Sequence, residues 1–152
     1  MSNRTENEGK QAAYHGVPAE DAYGYAQAIK IGSLIYVSGQ VSHDTKGSVV
    51  APAPLDANGR STDFSMMEEQ MRVTYVNAAK ILEKFGASLD DVVEETLYVL
   101  DVDVAFGVAG KVRKEAYGNA KPMCASNLIG VSRLALPELL IEIAFKAVLP
   151  TV

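Results

Sequence analysis

The sequence predicts an α+β layer fold, one sheet with two helices on one face, and three observations lead there. Leu139–Leu149 alternates as a half-buried strand does. Ser65–Phe85 carries a helical apolar stripe between a start and a stop signal. Apolar runs and helical stripes then follow one another as strand pair, helix, strand, helix, strand pair, that is β-β-α-β-α-β-β. At 152 residues the chain is expected to form one domain with a sizeable core.

Residues 1–13 are polar and read as a mobile tail, and Tyr14–Ala22, with Pro18 and several small residues, reads as a loop. Residues 1–22 are therefore expected to be an extension and 23–152 the folded domain. Ala26–Ile31 and Leu34–Ser38 form a hairpin about Gly32-Ser33, since glycine at the first central position suits a type II′ turn. Ser38-Gly39-Gln40 should end or bulge the second strand. His43–Arg60, rich in Gly, Pro, Asp and Ser, reads as a long surface loop.

Ser65-Met66-Met67-Glu68 fits a capping box. Met67, Met71, Ala78, Leu82 and Phe85 then make one apolar stripe, and Gly86 supplies the stop. Val92–Leu100 reads as a strand. Asp101-Val102-Asp103 offers an N-cap for a helix over 104–117, with Val104, Val108 and Val112 on one face and Gly118 and Pro122 after it. Asn127–Val131 and Leu139–Leu149 close the order. In the last strand Leu139, Ile141, Ile143, Phe145 and Ala147 share one side, and Leu140, Glu142, Ala144, Lys146 and Val148 the other. The apolar members of the second set predict a self-association surface.

Glu142 interrupts an otherwise apolar strand. A carboxylate there is costly unless it is paired, hydrogen-bonded or in a cleft, so Glu142 is the first candidate for function. A place at a subunit interface, or pairing with a neighbour such as Lys146, is the structural alternative. His15 and His43 fall in loops, lack metal-ligand spacing and are expected to face solvent. Cys124, the only cysteine, has no disulfide or zinc partner and is expected to be a packing thiol rather than a reactive one. The net charge of −5, without a basic run, argues against nucleic acid. No apolar run is long enough for a membrane span, and no secretory signal is visible, which makes the cytoplasm the default compartment.

Several stretches together resemble the RidA (YjgF) family of reactive-intermediate deaminases. They are Tyr25-Ala26-Gln27-Ala28, Ile35-Tyr36-Val37-Ser38-Gly39-Gln40, Glu69-Gln70, Gly86 to Val93, Asn119-Ala120-Lys121-Pro122 and Leu140-Ile141-Glu142-Ile143. The resemblance covers about Gly24 to Val148. It implies a chorismate-mutase-like fold and a homotrimer, with a central barrel of sheets, outer helices and small-molecule clefts between subunits. It also implies hydrolysis of enamines and imines, such as 2-aminoacrylate, to a 2-keto acid and ammonia without metal or organic cofactor, although some members are named endoribonucleases or translation inhibitors. Carried over by position, Glu142 would orient the attacking water. Tyr25, Ser38, Gly39 and Tyr98 would line the cleft.

One departure stands out. Deaminating members carry an arginine shortly before a Val-Gly-Val run, and it grips the substrate carboxylate. Ile129-Gly130-Val131 anchors that run here, so the arginine position falls on Ser126, beside Asn127. Arg133 lies seven residues on, roughly 20 Å away along extended chain. Loss of such a two-pronged ion pair predicts a shifted substrate range, with Ser126 and Asn127 hydrogen-bonding a more neutral ligand. A non-catalytic metabolite-binding trimer is the alternative, and RNA cleavage ranks behind both.

Overall fold

A computed structural model describes residues 9–150. The order is β1 (Lys10–Ala13), α1 (Pro18–Tyr23), β2 (Ala28–Ile31), β3 (Leu34–Gln40), α2 (Met67–Glu83), a 3₁₀ turn at Leu89–Asp91, β4 (Val92–Val99), α3 (Val102–Tyr117), β5 (Ala125–Gly130) and β6 (Ile141–Val148). The six strands form one mixed sheet in the order β1-β2-β3-β6-β4-β5. Only β4 and β5 run parallel, as a strand–helix–strand crossover through α3 requires. The expected α+β fold and its β-β-α-β-α-β-β core are present, with β1 and α1 added in front.

Those additions correct two expectations. Of the tail, residues 1–8 lie outside the described residues, but Lys10–Ala13 pairs antiparallel with β2 as an edge strand. Within the expected loop, Pro18 opens α1 and Gly24, at φ 82°, closes it. Glu20 fixes the entry: its carboxylate accepts the backbone N–H groups of His15 (2.7 Å), Gly16 (2.9 Å) and Val17 (3.2 Å). Two of these donors lie in the loop just before the helix, and the third belongs to its cap residue, Val17.

The hairpin forms as predicted. Gly32 takes φ 60° and Ser33 stays at negative φ, the type II′ combination. The β3–β6 register shifts between Val37 and Gln40, so Ser38-Gly39 is a bulge. The capping box at Ser65 does not form. Asp63 takes the Ser65 N–H (2.9 Å), Met66 becomes the cap residue without a side-chain bond, and α2 starts at Met67. The stripe of α2 holds: Met67, Met71, Ala78 and Leu82 are buried. Gly86 adopts φ 72° just past the helix. In α3 the Asp101 carboxylate caps Val104 N–H at 2.9 Å as expected. The buried stripe there is Ala105, Ala109 and Val112, and Val104 is partly exposed.

Both long helices cover the sheet face built from Ile35, Val37, Leu97, Val99, Ile141, Ile143 and Phe145, all buried. The opposite face is open and apolar. Ile31, Leu34, Tyr36, Ile129 and Val148 lie on it, each 37–46% exposed. Leu140 does not join them. The strand begins at Ile141, and Leu140 is buried beneath the loop before it, with its N–H held by Gln70 Oε1 at 2.8 Å.

Gln70, itself buried, also donates to the carbonyls of Ala51 (2.9 Å) and Glu138 (2.8 Å). One α2 side chain thus ties the 43–60 excursion to the segment before β6. Asn77 adds bonds to the carbonyls of Val41 and His43. The long loop is a pinned part of the fold. Among the described residues no helix is long and apolar enough to cross a membrane.

Candidate active site

Glu142 lies on β6 directly across from Tyr98 on β4, on the face the helices leave open. Its approach to β3 depends on Gly39. A Cβ on Gly39 would sit 2.5 Å from Glu142 Cδ and 2.6 Å from Oε2, so the carboxylate occupies space that only glycine leaves. The Ser38-Gly39 bulge falls between the Val37–Phe145 and Gln40–Ile143 pairs, and the Glu142 side chain reaches along the strand to fill the space over Gly39.

The carboxylate opens into a cavity of about 300 Å³. Val17, Pro18, Val41, Val49, Leu136 and Leu139 give it apolar walls, and Tyr25, Gln27, His43 and Lys46 supply its other polar groups. Glu142 forms no hydrogen bond or ion pair among the described residues, and Lys146 pairs with Glu94 instead (3.4 Å). Burial raises the Glu142 carboxyl above its ordinary value. A basic carboxylate in a small, mostly apolar cavity suits proton transfer near neutral pH.

A directed hydrogen-bond chain serves Tyr25. Gln40 uses one side-chain amide to donate to Gln27 Oε1 (2.9 Å) and to the Ser38 carbonyl (3.0 Å). Its own Oε1 therefore faces His15 Nε2 (2.8 Å) as acceptor, which makes that ring nitrogen the donor. Gln27 passes the polarity on by donating to the Tyr25 hydroxyl (3.1 Å). Tyr25 thus receives one hydrogen bond and keeps its own proton for the cavity. Burial, with the negative Glu20 and Glu142 nearby, raises its pKa and holds it as a phenol.

The histidines are more integrated than expected. His15 is half-buried, and its pKa is lowered first by that burial, with His43 adding to the effect. His43 lines the cavity and is bonded through Nδ1 to the Asp44 carbonyl (2.8 Å), which leaves Nε2 as its acceptor nitrogen. Gln27, Gln40, His43 and Lys46 were not among the expected site residues. Gln27 and Gln40 stand beside Tyr25 and Gly39 in the quoted stretches, but only the fold reveals that they connect.

The expected residues divide. Glu142, Tyr25 and Gly39 share the cavity. Ser38 supports it from behind, its hydroxyl donating to the Ala26 carbonyl (2.7 Å). Tyr98 and Asn127 lie on the open face outside the cavity, Asn127 reaching Thr96 Oγ1 at 3.4 Å. Ser126 points to the helix side, into a buried charge cluster. There Glu95 accepts from Arg113, from Ser126 (3.1 Å), and from the hydroxyls of Tyr75 (2.9 Å) and Tyr117 (3.0 Å). Arg113 also donates to the Ser126 hydroxyl at 3.0 Å. The guanidinium nearest the arginine position thus comes from α3 and is held by Glu95. Cys124 sits half-buried at the edge of this cluster, and burial pushes its thiol up, as befits a packing residue. Among the described residues no three His, Cys, Asp or Glu side chains gather as a metal site.

Comparison with known proteins places the chain in a family. The family model described as Endoribonuclease L-PSP matches residues 18–149. A RutC family protein of Pyrococcus abyssi is 36% identical over 125 residues, 80% of this chain and 86% of its own. A protein of Dermatophagoides farinae named 2-iminobutanoate/2-iminopropanoate deaminase is 23% identical over 72% of this chain and 74% of its own. The crystal structure of a YjgF family member from Mycobacterium tuberculosis superposes with a TM-score of 0.71 at 26% identity, covering 92% of this chain and 99% of that one.

Proposed function

Because the chain belongs to the Endoribonuclease L-PSP family, also called YjgF or RutC, we propose that it hydrolyses a reactive imine or enamine to a carbonyl compound and ammonia. The observation that carries this reading is the unpaired Glu142 carboxylate, raised by burial, in a small cavity beside a proton-bearing Tyr25. In the addition step Glu142 removes a proton from water as the oxygen bonds to the imine carbon. The C=N electron pair moves to nitrogen. Glu142 then returns that proton to nitrogen, which gives a neutral carbinolamine. In the second step Glu142 takes the carbinolamine hydroxyl proton and passes it to the amino nitrogen, the C–N bond breaks as the carbonyl forms, and ammonia leaves. Tyr25 donates to the oxygen or nitrogen on which charge collects.

The reading needs no metal or organic cofactor. It includes a homotrimer, since the open apolar face of Ile31, Leu34, Tyr36 and Val148 calls for burial. Tyr98 and Asn127 on that face would then contribute to clefts between subunits. The substrate range is shifted. Among the described residues no guanidinium lines the cavity, and the one full cation is the exposed Lys46. A hydrated ammonium grips a carboxylate less well than a two-pronged arginine does. A non-catalytic binding trimer is the second reading, favoured by Ser126 standing at the arginine position with its hydroxyl already engaged. RNA cleavage is disfavoured by the net charge of −5.

The test is ammonia release from freshly generated 2-aminoacrylate and from a bulkier neutral imine, compared with Glu142→Gln. Glu142-dependent turnover, faster for the neutral imine, is expected. Turnover that survives in the variant removes Glu142 from the mechanism. No turnover of either by folded protein leaves the binding trimer.

A further inference from the structure

We propose that Arg60 and Arg133 form a second ligand site, for a small phosphate monoester, separate from the Glu142 cavity. Both line one pocket of about 560 Å³, a volume usual for small-molecule sites and larger than a bare ion needs. No carboxylate lines that pocket, and neither guanidinium makes an ion pair among the described residues. Arg72 and Arg113, by contrast, are each engaged by glutamates. Two unpaired cations facing one cavity, in a chain with 19 acidic residues, repel each other and leave two positive charges for a ligand to balance.

The backbone that presents Arg60 is fixed, although its side chain is exposed. The Asp56 carboxylate accepts the N–H groups of Asn58 (2.8 Å) and Arg60 (3.0 Å), and Asp56 N–H returns a bond to the Arg60 carbonyl (2.8 Å). That closes the turn presenting Arg60. Ser61 Oγ then donates to the Pro137 carbonyl (2.5 Å), joining this turn to the segment that carries Arg133. Two guanidinium forks match a tetrahedral dianion, whose charge is concentrated on one group. Ser132 adds a neutral donor, and Leu100 and Pro137 give apolar surface for the organic part of a monoester. The two pockets share no lining residue.

The test is isothermal titration calorimetry of the full chain with phenyl phosphate, inorganic phosphate and succinate, on the wild type and on Arg60→Gln/Arg133→Gln. Both arginines are exposed, so the double variant should fold normally. Phenyl phosphate is expected to bind most tightly, and more weakly as salt rises. Losing two charge-assisted contacts at about tenfold each should weaken binding about 100-fold. Ammonia release should be unchanged in the variant, so this proposal and the deaminase reading stand or fall separately. No saturation by about 10 mM phenyl phosphate, or equal binding by the variant, overturns the site. Tighter binding of succinate overturns its assignment to a phosphate.

Discussion

Gly39→Ala separates the two things that Gly39 does. The backbone there is not left-handed, so alanine is compatible with the chain direction. The obstacle is the new methyl, which would lie 2.5 Å from Glu142 Cδ and 2.7 Å from Cγ. Carbon atoms settle no closer than about 3.5 Å, so the carboxyl must retreat by about 1 Å. What retreats is the end of a rotatable side chain in a cavity, not packed backbone, so the stability loss should fall at the low end for overpacking, about 1 kcal/mol. A displacement of about 1 Å in a group that positions water can cost about 100-fold in rate. Gly39→Ala should therefore melt within a few degrees of the wild type but release ammonia about two orders of magnitude more slowly. Urea unfolding and an ammonia assay on the same preparation measure both. Wild-type turnover in the variant would refute the placement of Glu142 as the group that orients water, whatever its stability.

Three further outcomes follow from the geometry. Burial raises the Glu142 pKa in the folded chain, so between the unfolded value of about 4.3 and that raised value the folded state holds the proton more firmly, and stability falls as pH rises through the window. Glu142→Gln should thus melt higher than wild type at pH 7, with the gain shrinking toward pH 4, and the wild-type rate should rise with pH through the same range. Arg113→Met leaves the fully buried Glu95 with hydroxyl donors alone, and should lower unfolding free energy by about 3–5 kcal/mol in urea titrations. Tyr36→Glu puts a charge in the middle of the open sheet face and should shift light-scattering mass toward the monomer without loss of secondary structure.

The parts legible in the sequence are those where one physical signal dominates. The strict alternation of Ile141 to Val148 gave a buried row and an open row and left Glu142 on the open one. The methionine and leucine spacing of α2 fixed its inner face. The misses are places where tertiary partners decide. Lys10–Ala13 is too short and polar to read as a strand and becomes one through β2. Six residues are too few for a helical period, so α1 shows only in its punctuation, Pro18, Glu20 and Gly24. Asp63 outcompetes the Ser65 cap by taking that residue's N–H. In the candidate site the bulge residue Gly39 could be named from the sequence. The chain from His15 through Gln40 and Gln27 to Tyr25 could not, because its links join residues 25 and 13 positions apart.

The place of β6 in the sheet bears on how the molecule comes into being. β6 is the last strand along the described chain, yet it lies between β3 and β4, with β1 and β2 beyond one flank and β5 beyond the other. Until residues 141–148 are available, the sheet is two separate ribbons with bare inner edges, and α2 has little to pack on. A nascent chain therefore cannot complete its core progressively from the N-terminus. It must wait for one late segment to bridge sequence separations of about a hundred residues, the kind of long-range pairing that folds slowly and leaves sticky edges exposed meanwhile. The carboxylate proposed to do the chemistry rides on that same strand, so the active cavity comes into existence in the step that closes the fold.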